Sequence, residues 1–494
     1  MNNDSFTKSG VDYMSSNKNN KTNLMEAGPI KKTLLTLAVP TIIATIINAV
    51  YNFVDTLFVG MLHDTAAMGA VTVAFPLFMI LSAIGQMLGV GAGSYVSRSL
   101  GAKNKDAADK TASTALFLAI VIASIVTVLI LLFLEPILKL MGATESILAP
   151  GKSYSTWIVG GALFTIINMT LNNIIRAEGN TRYSMNALII GAVLNIIFDP
   201  IFIFTFNMAL EGAAIATVLG QVVSTVYLLK YFMGKRSYVT MSRKNISREK
   251  EIYKEIFKIG LPVFFMQFLS SMAFSLQNVT ASAYGEDALA AIGITLKITM
   301  IPLFVMMGYN QGFQPFAAYN YGAKNYQRVR EGLNISIRWM MSFGFIALVI
   351  FWLVPEQLMR IFSKDLLVIE YGVNNLFAYN IFLPLVGYMM INTGLFQSFG
   401  KGRQAAVLAL VRQGLFFIPL LLVFPRLFET YSSQLSWMIH IFPYTMPAGL
   451  AGIMTAQPVA DLLSIILTAI FAYSVKKEIS AEESSSKLGG GFHA

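Results

Sequence analysis

The sequence contains no cysteine and only three histidines, His63, His440 and His493. The missing thiols exclude disulfides, zinc thiolate sites, iron–sulfur clusters and cysteine nucleophiles. The histidines are scattered along the chain, so they suggest no histidine-based metal cluster. Charged residues are also scarce, at 13% of the chain, whereas a soluble globular chain carries about 25%. This deficit argues against a soluble enzyme.

Long apolar runs take the place of charge. The chain is 55% hydrophobic, and its mean hydropathy is +0.62. A bilayer span needs about 20 apolar residues. The runs predict an all-α integral membrane protein with 12 transmembrane helices, near residues 34–62, 70–97, 112–134, 153–175, 184–206, 210–231, 256–284, 290–320, 334–354, 371–399, 404–425 and 447–474.

The loops between these spans alternate in charge. One set is poor in basic residues and holds His63, Asp64, Glu211, Glu286 and Asp287. The other set is basic, with Arg98, Lys103, Lys105, Lys110, Arg176, Arg182, Lys235, Arg236, Arg243, Lys244, Arg248, Lys250, Lys324, Arg328, Arg330, Lys401, Arg403, Lys476 and Lys477. The positive-inside rule places the basic loops and both termini in the cytoplasm. Membrane topology thereby explains the net charge of +10, and no nucleic-acid partner is expected.

Two loop segments recur at an offset of 221 residues. Residues 101–104, Gly-Ala-Lys-Asn, return unchanged at 322–325, and residues 176–182 return in altered form at 397–403. Such a repeat in an apolar chain is typical of a secondary transporter. We predict a disordered N-terminal tail (1–30), an N-lobe (31–232), a basic linker (233–254), a C-lobe (255–475) and a cytoplasmic tail (476–494). With six spans in each half, both halves enter from the same side, so the repeats are predicted to be parallel.

Polar side chains inside spans are costly and usually functional. Helical spacing places several of them on shared faces. These are Asn48, Asn52 and Asp55 in span one, Asn195 and Asp199 in span five, and Ala213, Thr217 and Gln221 in span six.

Asp55 and Asp199 form the predicted centre of the chemistry. Two carboxylates in a low dielectric do not both stay ionised without compensation, so one holds a proton or the pair shares a cation. Carboxylate and amide oxygens suit a hard ion such as sodium. The alternative is a protonated aspartate hydrogen-bonded within the helix bundle.

Secondary candidates lie elsewhere in the spans. Asp461 follows Gln457 by one turn in span twelve, and Lys297 lies early in span eight. Each has a structural alternative, which for Lys297 is a side chain that reaches the membrane interface. Pro40, fifteen residues before Asp55, is a candidate hinge because proline removes a helix hydrogen bond. A static kink is the alternative.

These motifs resemble the MATE family, the multidrug and toxic compound extrusion transporters, over about residues 31–474, and most closely its bacterial MepA-like and DinF-like branch. The matching motifs are residues 37–40, 52–55, 101–104, 176–180, 194–200, 211–217 and 322–325. The resemblance implies two six-helix lobes arranged in a V around a central cavity. It also implies export of cationic, amphipathic drugs in exchange for protons or sodium.

The family's N-lobe cation site implies roles for four residues here, Asp55, Asn195, Asp199 and Thr217. Pro40 matches the proline linked to bending of the first helix. One departure concerns the C-lobe, where some family members use acidic residues in helices seven and ten. Spans seven and ten contain none here, and they offer Gln267 and three asparagines instead. We therefore expect ion coupling in the N-lobe.

The sequence thus predicts a cation-coupled antiporter of the cytoplasmic membrane, acting as a monomer with H+ or Na+ as its coupling ion and no other cofactor. A lipid-linked oligosaccharide flippase is the alternative, although it would favour a cationic cavity and extra spans. A major-facilitator transporter lacks support because the basic signature expected after span two is missing around residues 98–105. A membrane enzyme is disfavoured because no histidine lies within a predicted span core.

Overall fold

The computed structural model describes residues 24–62, 64–234, 237–435 and 442–489, and in these ranges all regular structure is helical. Ten continuous helices in these ranges are long and apolar enough to cross a membrane, and the number is 12 if each of two bent pairs is one span, which confirms the predicted fold class. They are α1 (Ile30–Gly60), α2 (Thr65–Gly101), α3 (Lys105–Leu132), α4 (Glu145–Gly160 and Ala162–Ala177), α5 (Thr181–Thr205), α6 (Ala209–Met233), α7 (Lys250–Ser282), α8 (Glu286–Gly322), α9 (Tyr326–Leu353), α10 (Leu366–Tyr379 and Leu383–Ser398), α11 (Gly402–Thr430) and α12 (Ala448–Gly489).

Several helices are longer than the predicted spans. α2 and α8 have 37 residues each, or about 55 Å at the usual helical rise, whereas the hydrocarbon core of a bilayer is about 30 Å thick. The hydropathy pattern marks only the apolar part of each helix, so the polar ends were missed. α4 bends by 45° and α10 by 49° at short breaks. α5 ends in a π-helical segment, Ile201–Thr205, and another, Val411–Phe417, interrupts α11.

The twin Gly-Ala-Lys-Asn motifs have the same local structure. Lys103 and Lys324 adopt left-handed backbone conformations, with φ of 57° and 58°. The asparagine side chain after each lysine then accepts a hydrogen bond from the first turn of the next helix, Asn104 from Ala107 N at 3.1 Å and Asn325 from Arg328 N at 3.3 Å. The motif is therefore a turn that ends one long helix and caps the next.

The glycines of the two motifs pack against each other's helices. A Cβ atom on Gly101 would lie 2.0 Å from the carbonyl oxygen of Tyr319, and one on Gly322 would lie 2.0 Å from the carbonyl oxygen of Arg98. Only glycine permits this approach, since real side chains do not come so close to backbone atoms. The reciprocal contact explains why both copies of the motif begin with glycine.

The chain forms two compact units that do not coincide with the predicted halves. One contains Met1–Phe264, Gln311–Val329 and Gln397–Lys401, and the other contains Phe265–Asn310, Arg330–Phe396 and Gly402–Ala494. The first part of α7 joins the first unit because Glu255 pairs with Arg98 of α2 at 2.6 Å. The predicted border at residues 233–254 therefore separates the sequence repeats and not the compact units.

Residues 1–23 of the predicted tail lie outside the described ranges, whereas residues 24–30 are ordered. Residues 24–27 form a helical turn, and the Met25 side chain is fully buried. Arg328 donates to the carbonyl oxygens of Met25 at 2.9 Å and Leu24 at 3.2 Å, and Asn320 donates to that of Met25 at 3.2 Å. The segment 1–30 as a whole is polar in composition, but residues 24–30 are mostly apolar, and tertiary hydrogen bonds hold residues 24, 25 and 28 in place.

The polar ends of the other predicted segments are also ordered where the structure describes them. α12 continues to Gly489, well into the segment 476–494 that was predicted to be a tail. Glu178, directly after α4, is buried and accepts hydrogen bonds from two backbone nitrogens of the linker, those of Tyr238 at 3.3 Å and Val239 at 3.1 Å, and from the Tyr231 hydroxyl of α6 at 2.7 Å. The linker is thereby tied to the end of α4.

Candidate functional site

The predicted site residues of α5 and α6 form one hydrogen-bonded cluster. Asn195 Nδ2 donates to Asp199 Oδ1 and to Thr217 Oγ1, both at 3.2 Å. All three side chains are buried. Two glycines bring the helices together, since a Cβ on Gly220 would lie 2.8 Å from the Gly191 carbonyl oxygen. The close crossing lets the Thr217 side chain reach across to α5.

Asp55 completes the cluster from α1. α1 packs along α5, and the Asp55 carboxylate lies within electrostatic reach of Asp199. In the described part of the chain no group of three His, Asp or Glu side chains comes together. The site therefore offers two carboxylates, one amide and one hydroxyl, which are all hard oxygen ligands.

Three oxygens of this cluster lack a hydrogen-bond donor. Asp55 Oδ1, Asn195 Oδ1 and Asp199 Oδ2 are buried and have no hydrogen-bond partner among the described residues. Buried polar atoms are normally satisfied, and an unsatisfied group calls for a specific explanation. A proton or a cation is what such acceptor-rich surroundings can bind. The geometry therefore fits a cation or a proton.

Two tyrosines next to the cluster were not predicted. Tyr51 lies close to Asp55, Asp199 and Thr217, and Tyr154 of α4 lies close to Asp55 and Asp199. Tyr51 could have been found, because it precedes Asp55 by four residues and so shares its helix face. Tyr154 has no such signal, since only tertiary packing brings α4 to the site.

Of the predicted supporting residues, some lie next to the cluster and others lie outside it. Asn52 donates to the side-chain oxygen of Asn48 at 3.1 Å, and both side chains are exposed rather than gathered into the cluster. Ala213 is buried in the apolar core one turn before Thr217, and Gln221 is partly buried one turn after it. Pro40 lies inside the continuous helix α1.

The secondary candidates lie in the second unit. Asp461 is paired with Arg412, whose Nε donates to Asp461 Oδ1 at 2.8 Å. Arg412 was missed because a single arginine in the run 404–425 did not interrupt its apolar character. Gln267 is partly buried on α7. Lys297 is exposed and lines a groove of about 440 Å³ together with the neighbouring residues Phe274, Asn278, Leu289, Gly293, Leu296 and Met300.

The chain as a whole has counterparts among known proteins. The profile of one family, MatE, matches residues 40–201 and again residues 262–423. The chain belongs to the MatE family. Both matched segments begin at a proline, Pro40 or Pro262, and an offset of 222 residues relates both pairs of bounds. The predicted resemblance to MATE transporters is confirmed.

Individual MatE relatives match over almost the whole chain. The multidrug export protein MepA of Staphylococcus aureus is 29% identical over 462 residues, covering 93% of this chain and 97% of the relative. A multidrug resistance MATE family transporter of the MOP superfamily, solved in an outward-facing conformation, has a TM-score of 0.82 at 26% identity, over 93% of this chain and 98% of that one. Together with the apolar helices, these matches make the protein a multi-pass transporter of the cell membrane.

A third MatE neighbour differs in the reported character of its pocket. It is a MOP superfamily transporter from Pyrococcus furiosus, with a TM-score of 0.83 at 25% identity, over 94% of this chain and 98% of that one. Its binding pocket is described as having reverse polarity, which suggests a different function for that protein.

Proposed function

We propose that this protein exports organic, mostly cationic and amphipathic compounds across the cell membrane in exchange for H+ or Na+. The proposal rests on one observation, the three buried acceptor oxygens of Asp55, Asn195 and Asp199 that have no donor in the described structure. The similarity to a multidrug export protein supports a broad range of small-molecule substrates. The protein would act as a monomer and need no cofactor besides the coupling ion.

Ion binding would change the charge balance of the cluster. With the site empty, the Asp55 and Asp199 carboxylates repel each other in surroundings of low dielectric, which disfavours close packing of α1 on α5. A bound proton or cation removes that repulsion and favours the packed arrangement. Because Pro40 leaves α1 without one backbone hydrogen bond, the helix can respond by bending.

Coupling follows if the substrate prefers one of these two arrangements. An ion and a substrate that favour opposite arrangements of α1 weaken each other's binding by the same factor. Export then occurs when the ion enters from outside and the substrate leaves in exchange. No direct contact between the ion and the substrate is needed.

The test is ethidium export from proteoliposomes under an imposed pH gradient or an imposed sodium gradient. We expect export under one gradient, and we expect Asp55→Asn and Asp199→Asn to reduce it by about tenfold or more, since each removes one charge of the site. Glu286→Gln is the matched control, because this exposed side chain in the first turn of α8 loses the same charge away from the site.

Two outcomes would contradict the proposal in different ways. Wild-type export that persists in Asp55→Asn would place coupling outside this cluster. A folded wild-type protein that exports no cation under either gradient would end the drug-export proposal, and flipping of lipid-linked oligosaccharide would then be the activity to assay.

A further inference from the structure

The two units contain equivalent helix crossings, which fixes how their residues correspond. The two family matches end at residue 201 of α5 and residue 423 of α11, an offset of 222 residues that pairs the next residues, Phe202 and Phe424. A Cβ on Gly212 would lie 2.9 Å from the Phe202 carbonyl oxygen, and a Cβ on Gly452 would lie 2.6 Å from that of Phe424. Gly452 of α12 therefore stands where Gly212 stands on α6.

This correspondence shows that the second unit lacks the ion-site residues of α5. Asn195 and Asp199 correspond to Phe417 and Leu421 at the offset of 222 residues. Both are buried and apolar. The α11 side of the equivalent position thus offers no oxygen ligand.

In the second unit the carboxylate lies on α12, whereas Asp199 of the first unit lies on α5. Counting from the equivalent glycines, Thr217 corresponds to Gln457 and Gln221 corresponds to Asp461. Gln457 Nε2 donates to Asp461 Oδ1 at 2.8 Å, as Asn195 donates to Asp199 in the first unit. Each unit therefore holds a buried carboxylate and an amide between the same two helices.

The second unit differs by containing its own cation. Arg412 Nε donates to Asp461 Oδ1 at 2.8 Å, and the Asp461 side chain is only 3% exposed. Arg412 lies in the π-helical segment Val411–Phe417, a type of irregularity that is frequent at functional sites. Gln457 Oε1 is buried without a partner among the described residues. Tyr379 of α10 is the other titratable group close to the pair.

We propose that Arg412 is a tethered cation that permanently fills the second unit's counterpart of the ion site. Its guanidinium supplies the charge that a transported ion supplies at Asp55 and Asp199, so ion binding can change only the first unit. This inference rests on the proposed function and deepens it by assigning what limits the number of coupling ions. Without Arg412, Asp461 would be a buried carboxylate with no counter-ion, which is strongly unfavourable unless it recruits one.

The direct test is the substrate gradient that stops net flux in proteoliposomes clamped at zero membrane potential. In an antiporter this gradient equals the ion gradient raised to the number of ions exchanged. We expect Arg412→Leu to exchange one further ion per substrate. For a tenfold gradient of the coupling ion, the ethidium gradient that stops its net flux should therefore be about tenfold steeper than the one that stops the net flux of the wild type. Arg412→Lys keeps a tethered charge and should balance as the wild type does.

A double variant separates this role from a structural tie between α11 and α12. Arg412→Leu with Asp461→Leu removes both charges and should return the balance point to that of the wild type. An active Arg412→Leu variant with the wild-type balance point would overturn the proposal and leave the pair as a tie. So would a double variant that keeps the steeper balance point.

A stability measurement covers the case in which Arg412→Leu is poorly folded, and it does not depend on transport. If an ion replaces the guanidinium, the unfolding temperature of Arg412→Leu should rise with added Na+ or with falling pH, and that of the double variant should not. An Arg412→Leu variant that neither ion stabilises would overturn the proposal. A wild-type protein that shows no ion-driven export would instead refute the proposed function. The two failures can be told apart, because the ion-dependent unfolding temperature of Arg412→Leu is measured without transport.

Discussion

At the residue scale, the cluster at Asp55, Asn195 and Asp199 has more hydrogen-bond acceptors than donors. The Asn195 amide gives its hydrogens to Asp199 and Thr217. Three other oxygens are left buried without a donor. Such a balance is unfavourable for a purely structural cluster, since each unsatisfied buried group costs about 1–3 kcal/mol. It is favourable for a site that binds and releases a cation.

Thr217 allows the role of the hydroxyl to be measured alone. Thr217→Val removes one oxygen ligand and leaves both carboxylates in place, so we expect the ion concentration for half-maximal export to rise by about tenfold, the equivalent of roughly 1.4 kcal/mol. Initial export rates at a series of ion concentrations check this. Thr72→Val makes the same change at an exposed position of α2 and should leave the value unchanged. An equal effect of both substitutions would remove Thr217 from the site.

The sequence predicted this cluster from two kinds of signal, the spacing of residues within one helix and the motifs of a family. Asp199 follows Asn195 by one helical turn, and the family motif adds Asp55 and Thr217. Tyr154 and Arg412 were missed because their importance depends on contacts between helices, and neither lies in a pattern with a characteristic spacing. Asn48 and Asn52 show the opposite case, because they were predicted to support the site and are exposed outside the cluster. Helical spacing places residues on a shared face but does not predict what that face contacts.

At the element scale, the long helices α2 and α8 cross at their glycine ends. The hydropathy pattern predicted their existence and not their length, because charged helical ends carry no apolar signal. The bends of α4 and α10 were also missed, since each bent pair forms one uninterrupted apolar run. The repeated Gly-Ala-Lys-Asn motif was visible in the sequence, and the structure gives it a steric reason.

The close crossing of α2 and α8 predicts that glycines differ in how much a substitution by alanine destabilises the protein. Gly101→Ala and Gly322→Ala place a methyl group 2.0 Å from a backbone oxygen, so each should destabilise the protein by roughly 2 kcal/mol or more. Gly160→Ala is the control, because a Cβ there meets nothing within 4 Å. Unfolding temperatures in detergent measure the difference. Equal temperatures for the three variants would show that the helices can shift apart without loss.

At the scale of the whole molecule, the repeats of the sequence and the compact units of the structure differ. Parts of α7, α8 and α10 belong to the first unit although they lie in the second sequence half. Long helices make this possible, because one helix contributes its two ends to different units. The linker follows the same pattern, since Glu178 at the end of α4 fixes residues 237–239.

Glu178 gives the linker a predicted pH dependence. Burial raises the pKa of this carboxyl above its usual 4.5, although four hydrogen-bond donors act in the opposite direction. The folded state therefore favours the protonated form, so its contribution to stability is complete below about pH 4.5 and is lost as the pH rises through the raised pKa. Unfolding temperatures of the wild type and of Glu178→Gln across this range check the sign. The wild type should lose stability relative to the variant as the pH increases.

The reciprocal glycine contact also has a consequence for how the two gene halves can diverge. After an internal duplication, equivalent positions are usually free to change independently. Gly101 and Gly322 are an exception, because each leaves room for the backbone of the other copy's helix. A substitution in one copy cannot be compensated by keeping glycine in the other, since the two contacts are separate and both are needed. Each of these two positions, 221 residues apart, is thus held to glycine by the backbone of the other copy's helix.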